Sequence, residues 1–401
     1  FYFISSDFSA MGVFQICFVS GFLAFVYYYF FNEVSLNKLT LIILCLFPLF
    51  PLNGGFTIFY SRDVIFAWVN MAATIYLFNL LLKHKNKISI SNVQLLTLSG
   101  LLTLTSLLRQ DAIILPMLFP LLTWKLGLCL RQKKFWKINA IHIAILLFFF
   151  IAVPRLLSVS SSSRSYKISA LVNPLSYIIN KHGFENTVLP REQKILTQGI
   201  QLPMIQKYYD PLEIPAFHKG MVNQQQISKM TNSEWNKFLW THLQIFWRHR
   251  DLFIDNRLNM FTHLLAKPTV YFTDDLGHPS TSNEFIEIKE KIKPAPRDGV
   301  MATFLRKISF YQFHTNNPIG VLHTLFFSNL LPFLFLMISL ISWKSAPKTA
   351  WCSLLIASRI PLVFFFAPAA QFKYLYSVYI YFFIFLPIFL WEVLKGKLRH
   401  S

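Results

Sequence analysis

The ionisable residues best placed to do chemistry in this chain sit at the ends of long apolar runs. Arg62-Asp63 separates two runs, after the break at Pro51-Leu-Asn-Gly-Gly55, and Arg109-Gln-Asp111 makes a tight turn between two others. Arg155 follows Pro154 where a further run ends, and Lys373-Tyr374 opens the last one. Guanidinium and ammonium groups hold phosphate oxygens through charge-assisted hydrogen bonds. Asp63 lies beside Arg62 and Asp111 lies two residues from Arg109. A neighbouring cation keeps a carboxylate ionised, which suits it to position an acceptor or a metal-bound phosphate. Both therefore read as secondary catalytic carboxylates rather than as a principal base. Taken singly, a charge at a run end is ordinarily a helix cap or a snorkelling anchor. Several cations brought to one membrane level form a ring suited to the phosphate of a lipid-linked substrate. Arg359 falls inside an apolar run, where a charge is costly unless it faces the bundle interior or a wet cavity. It is either a substrate-binding group or a structurally paired residue at an offset helix boundary. His142, also inside a run, reads as a satisfied core histidine.

The elements that must position these residues follow from composition. Of 401 residues, 54% are hydrophobic, 17% aromatic and only 14% charged, with a mean hydropathy of +0.45. Soluble domains carry about 25% charged residues, so the pattern is that of a polytopic membrane protein. Apolar runs occupy about 11–31, 39–60, 64–83, 93–108, 112–130, 138–154, 319–343, 349–367 and 374–394. Each approaches the ~20 residues that a spanning helix needs, giving roughly nine crossings. The net charge of +20 is spread among these runs, which argues against nucleic acid as a partner. One set of loops is basic: Lys83, Lys85 and Lys87; Arg131, Lys133, Lys134 and Lys137; Lys344 and Lys348; Lys395, Lys397 and Arg399. Placing all of them on the cytoplasmic side satisfies the positive-inside pattern. The C-terminus is then cytoplasmic, and Arg62, Arg109 and Lys373 face outward. The organisation expected is an all-α protein: a six-span bundle over 1–154, an extracytoplasmic, mainly helical domain over 155–318, and three spans with a cytoplasmic tail over 319–401.

Within the polar insert, Ser158 to Ser165 reads as a flexible lead-in, and Thr231-Asn-Ser-Glu234 reads as a capping box. Trp235, Phe238, Leu239, Leu243 and Phe246 follow at helical spacing. This amphipathic helix either packs on its own domain, the commoner case, or lies at a membrane interface. Cys17, Cys45, Cys129 and Cys352 all fall in apolar runs and read as small buried hydrophobes. The chain has no P-loop or Rossmann glycine pattern, no GxSxG elbow and no HExxH helix. With short cytoplasmic loops, chemistry is expected on the outer side.

These residues resemble the multi-spanning GT-C glycosyltransferases, which use polyprenyl-phosphate-linked sugars. The likeness rests on Phe59-Tyr-Ser-Arg-Asp-Val-Ile-Phe66, on the turn Arg109-Gln-Asp111, and on Ala367-Pro-Ala-Ala-Gln-Phe-Lys-Tyr374, where Lys stands for the usual Arg. Tyr208-Tyr209 and the Trp-rich stretch 235–247 add to it. The resemblance implies sugar transfer on the extracytoplasmic side of the cell's inner (plasma) membrane. An outer carboxylate takes a proton from a glycan, lipid or protein acceptor, and cations stabilise the departing polyprenyl phosphate. No definite cofactor is expected, and a divalent cation on the phosphate stays open. The implied binding set is Arg62, Arg109, Arg155, Arg359, Lys373 and Tyr374. The family's main catalytic acid lies in the first outer loop. This sequence opens at Phe1, just before what corresponds to span two or three, so that loop is expected to lie outside it, with Asp7 as its remnant. A flippase or transporter of lipid-linked glycans, or a glycan polymerase, is the alternative. The long insert and the lack of a visible internal repeat weigh against a transporter.

Overall fold

The computed structural model describes residues 8–32, 62–156, 163–208, 221–266, 328–367, 370 and 372–397. Its principal helices are α1 (Phe8–Asn32), α2 (Arg62–Lys85), α3 (Asn92–Leu108), α4 (Lys133–Leu147), α5 (Ser163–His182), α6 (Asn232–Arg248), α7 (Arg250–Ala266), α8 (Leu330–Ile341), α9 (Pro347–Ala357) and α10 (Tyr376–Lys397). Short helical turns fill most of the connections, and there is no β-strand among the described residues. The chain packs as two compact units: 1–158 with 292–360 and 373–401, and 159–291 with 361–372. The stretch 361–372 thus belongs to the second unit although both its flanks belong to the first.

In the first unit α2 is the central helix, packed against α1, α3, α9 and α10. Its sequence is apolar on every side, which is the signature of a helix enclosed by others. Phe66, Ala67, Met71, Ala73, Leu77, Phe78 and Leu80 are all fully buried or nearly so. Four helical stretches are long and apolar enough to cross a membrane: Asp63–Lys85, Lys133–Ala152, Pro347–Phe366 and Tyr376–Leu394. Four shorter apolar helices accompany them, at Val13–Val26, Asn92–Leu108, Ile114–Lys125 and Leu330–Ile341. Of the nine apolar runs, 39–60 lies outside the described residues, as does the first part of 319–343. The run 112–130 is divided into Gln110–Ala112, Ile114–Met117 and Phe119–Lys125. The stretch beginning at α4 turns Trp136, Ile143, Leu147 and Phe148 outward. A continuous exposed apolar face of this kind is a liability in water and at home in lipid.

Two buried polar arrangements finish this unit. His142 is satisfied as a core histidine: its Nε2 donates to the Pro116 carbonyl at 2.9 Å and its Nδ1 accepts from the Ser99 hydroxyl at 2.7 Å. Glu392 of α10 caps the start of α9, accepting from the backbone N–H of Lys348 at 3.1 Å and of Thr349 at 3.0 Å, and from the Lys348 ammonium. At Gly127 (φ +92°) the left-handed backbone and the ring of His84, 2.9 Å from where a Cβ would stand, together require glycine. The cysteines depart from expectation: Cys352 is buried, but Cys17 and Cys129 are exposed. Cys45 lies outside the described residues. An apolar neighbourhood in sequence does not fix which side of a helix a cysteine occupies.

The second unit has its own core, built from Ile168, Val172, Leu175, Ile178, Leu196, Ile205, Trp235, Phe238, Ile245 and Phe246 among others. The capping box opens α6 as its sequence requires, with Thr231 Oγ1 accepting from the Glu234 N–H at 3.2 Å and Glu234 Oε2 accepting from the Thr231 N–H at 2.7 Å. Leu243 corrects the expected apolar face: it is exposed, and Thr241, His242 and Ile245 point inward instead. The buried arc is centred on Phe238, His242 and Ile245, and a step of about 100° per residue carries Leu243 beyond its edge. Arg257 of α7 is fully buried and donates to the carbonyls of Phe365 at 3.3 Å and Ala367 at 3.0 Å, fixing 361–372 to this unit.

His242 gives the second unit a pH response. Burial pushes its imidazole down to about 4, while its Nδ1–H donates to the Phe238 carbonyl at 2.8 Å. A histidine held neutral in the native state stabilises fully above its unfolded pKa near 6.5, and that contribution is lost as pH falls toward 4. The expected loss approaches about 3 kcal/mol, with His249, also lowered by burial, adding to the same slope. Denaturant midpoints at about pH 7.5 and about pH 5 should diverge much less in His242→Phe than in the native protein. Equal pH slopes in the two proteins would contradict this assignment.

Candidate functional site

Four helix ends of the first unit meet at one place, and each delivers a charged residue. Asp63 is the second residue of α2, Arg109 is the C-cap of α3, and Asp111 sits in the short turn Gln110–Ala112 that follows. Arg359 lies in the break between α9 and Ile360–Phe366, and Lys373-Tyr374 forms the turn before α10. Asp63 at the start of α2 and Arg109 at the end of α3 suit local electrostatics, since a carboxylate is favoured at a helix N-terminus and a cation at a C-terminus, whereas Lys373, ahead of α10, is placed against it.

The side chains form one network. Arg109 grips Asp111 with two donors, Nε to Oδ1 at 2.7 Å and a terminal nitrogen to Oδ2 at 3.3 Å, and also bonds Asp63 Oδ1. Arg359 donates to Asp111 Oδ2 at 2.5 Å and to the Ser377 hydroxyl at 2.8 Å. Lys373 stands 3.9 Å from Asp63 Oδ2. Both guanidinium groups lie over the ring of Phe66, at 5.4 Å for Arg109 and 4.5 Å for Arg359, and Arg109 also faces Tyr374 at 5.1 Å. Arg359 is only 1% exposed and Arg109 only 8%, whereas the Lys373 side chain is 31% exposed. Among the described residues the network joins three cations to two carboxylates. The Nε of Arg359 is a buried donor without a hydrogen-bond acceptor among the described residues.

Burial drives both sides of the central pair toward neutrality, and charge pairing overrides it. Burial pulls the Arg109 guanidinium toward losing its proton, but Asp111 and Asp63 hold it protonated, above its usual range. Burial likewise pushes Asp111 up, but Arg359 and Arg109 together hold it well below the ordinary carboxylate range. Asp111 is therefore a fixed anion with both oxygens engaged, unsuited to accept a proton near neutral pH.

Of the residues singled out by sequence, Asp63, Arg109, Asp111, Arg359, Lys373 and Tyr374 come together here. Arg155 does not: it is exposed at the end of Val153–Leu156 and takes no part in the network. Arg62 begins α2, but its side chain lies outside the described residues, as do Asp7 and Tyr209. Nothing in the local sequence marks Phe66, a phenylalanine that two arginines cover, or Ser377, a serine at the second position of a helix. Among the described residues there is no group of three or more His, Cys, Asp or Glu side chains able to hold a metal ion. Asp63 and Asp111 bind arginines, so the divalent cation entertained from sequence has no ready ligand set among these residues. No protein-family model, curated protein or solved structure matches the chain.

Charge balance ranks the substitutions. Asp111→Asn leaves three cations against one carboxylate and should cost about 3–5 kcal/mol of stability. Arg359→Gln leaves two of each and should cost clearly less. Adding Arg359→Gln to Asp111→Asn should restore part of the loss, as read from unfolding midpoints in detergent. An Arg359→Gln variant less stable than Asp111→Asn would contradict the charge-balance account.

Proposed function

We propose that the protein is a membrane glycosyltransferase that moves a sugar from a polyprenyl-phosphate donor to an acceptor on the extracytoplasmic side. The observation that carries the reading is the network of Asp63, Arg109, Asp111, Arg359 and Lys373, in which two buried arginines and a partly exposed lysine are gathered at one place. In this reading the apolar runs make roughly nine crossings of the inner (plasma) membrane, the basic loops and the C-terminus are cytoplasmic, and the second unit is outside.

Geometry supports the following roles. Arg109 and Arg359 are held rigidly by Asp111, so their charge needs no reorganisation when the phosphate departs. Lys373, the most exposed cation of the network, meets the phosphate directly. The acceptor hydroxyl attacks the anomeric carbon, the bond from that carbon to the phosphate oxygen breaks, and the phosphate leaves with the bonding pair. The hydroxyl proton passes to an outer carboxylate acting as general base. Asp63 positions the acceptor or orients Lys373, and Asp111 acts through the two arginines.

Membranes bearing the protein, given radiolabelled polyprenyl-phosphate sugars, should yield labelled acceptor. Lys373→Gln should lower donor use about ten- to a hundredfold, the loss of one charge-assisted hydrogen bond worth roughly 1.5–3 kcal/mol. Asp63→Asn should leave measurable activity, whereas replacing a principal base costs about a hundred- to ten-thousandfold. Complete loss in Asp63→Asn would move the base to Asp63. A donor that crosses the membrane intact, with no labelled product, would replace this reading with a flippase. The orientation is checked separately with cysteine substitutions at exposed positions. Gln225→Cys should react with an impermeant reagent in sealed cells, and Asn86→Cys and Ser345→Cys only after the membrane is opened. The reverse labelling would overturn the sidedness.

A further inference from the structure

The helix α6 has two apolar faces, and only one of them is used by the core. Trp235, Phe238, Ile245 and Phe246 are buried in the second unit. On the opposite side Trp240, Leu243 and Trp247 recur at helical spacing and are 62%, 52% and 75% exposed. These three residues contribute nothing to the core, yet they are two of the largest apolar side chains and a leucine on a single stripe.

We propose that the stripe Trp240–Leu243–Trp247 seats in the headgroup–acyl boundary of a lipid bilayer and makes α6 an interfacial membrane-docking helix of the second unit. Four features favour lipid as the occupant. The same chain carries four helices long and apolar enough to cross a membrane, so α6 is tethered to a bilayer and meets it at high effective concentration. Tryptophan combines an apolar ring with an N–H donor, which is why it concentrates at membrane interfaces. The flanks are basic or neutral. On α6 itself Lys237 and Gln244 are exposed beside the stripe, and exposed Arg250, next to exposed Asp251, follows at the corner into α7. The one acidic residue of the helix, Glu234, is spent on the capping box in the first turn. Arg248 is paired with Glu192, so the cations facing lipid headgroups are Lys237 and Arg250. Finally, a second copy docking through the same face would set these cations against each other, whereas anionic headgroups attract them. The inference does not depend on glycosyl transfer; it needs only a chain anchored in a membrane.

The test uses the full-length protein in lipid nanodiscs, with Cys17, Cys45, Cys129 and Cys352 replaced by alanine. Nitroxide labels are placed in turn through Trp240→Cys, Leu243→Cys and Trp247→Cys, with Gln225→Cys on the exposed helix Gln224–Lys229 as the reference. Stripe labels should favour collision with oxygen over a water-soluble nickel chelate severalfold more than the reference label does. Chelate access equal to that at Gln225 places the stripe in water and overturns the proposal. Exclusion of both quenchers places it against protein, a second copy or another segment of the chain, and also overturns it. A gentler variant covers any folding failure: Trp240→Phe with Trp247→Phe in the chain with all its native cysteines. Quenching of tryptophan emission by brominated lipids should fall more in that protein than in Trp235→Phe, whose ring is in the core. An equal or smaller fall would argue against lipid contact at α6.

Discussion

The carboxylate of Asp111 is the point on which the first unit's charged end depends. Two guanidinium groups converge on it, one from the end of α3 and one from the break after α9. Arg109 then reaches on to Asp63 at the start of α2, and Lys373 approaches Asp63 from the turn before α10. Four separate helix ends are thereby held by one chain of alternating charges. Such a network is costly to desolvate and is sustained only where each charge finds an opposite partner. The aromatic rings of Phe66 and Tyr374 complete the enclosure by offering their faces to the cations. The apolar helices set the spacing, and the ion network fixes how their ends register.

Much of this end was legible in the sequence for a simple reason. Charges in a strongly apolar chain are few, and those at run ends must either reach water or pair with each other. Asp63, Arg109, Asp111, Arg359 and Lys373 were each conspicuous on that ground. Their pairing was not legible, since Arg109 and Asp63 are 46 residues apart and Arg359 and Asp111 are 248 apart. Arg155 looked equivalent by position, but a run end gives no information about which neighbour it faces, and this one is exposed. The Lys348–Glu392 pair escaped for the opposite reason: Lys348 looked like one more member of a basic loop, and its partner is supplied by another helix. The helical class and several long apolar helices followed directly from hydropathy. The break around Ser358-Arg359 has a cue in Pro361, which cannot donate a backbone N–H to the carbonyl four residues before it, whereas the turn Gln110–Ala112 contains no glycine or proline.

The second unit illustrates a different limit of pattern reading. A single apolar stripe at helical spacing was the natural interpretation of α6, and Leu243 was assigned to it with the others. The helix in fact divides its large side chains between two opposite faces, one packed in the core and one presented outward. Periodicity shows that an apolar residue has neighbours one turn away, but does not separate two stripes that share a helix. His242 shows the complementary case, a polar residue that the core takes in because its one N–H finds a backbone carbonyl within the same helix.

The second unit is also discontinuous in sequence, because 361–372 returns to it after the chain has run through 292–360 of the first. Cutting the gene at 159 and 291 would therefore yield an incomplete fragment. Arg257, fully buried in the intact unit, would lose the carbonyls of Phe365 and Ala367 that receive its protons, and Phe253 would lose the ring of Phe365 stacked on it. Exchange of this unit between related proteins must carry both pieces of coding sequence together. Recombination that moved one without the other would leave the Arg257 guanidinium without two of its acceptors, keeping the Asn256 and Asn173 side-chain oxygens, a cost that favours inheriting the two pieces as a pair.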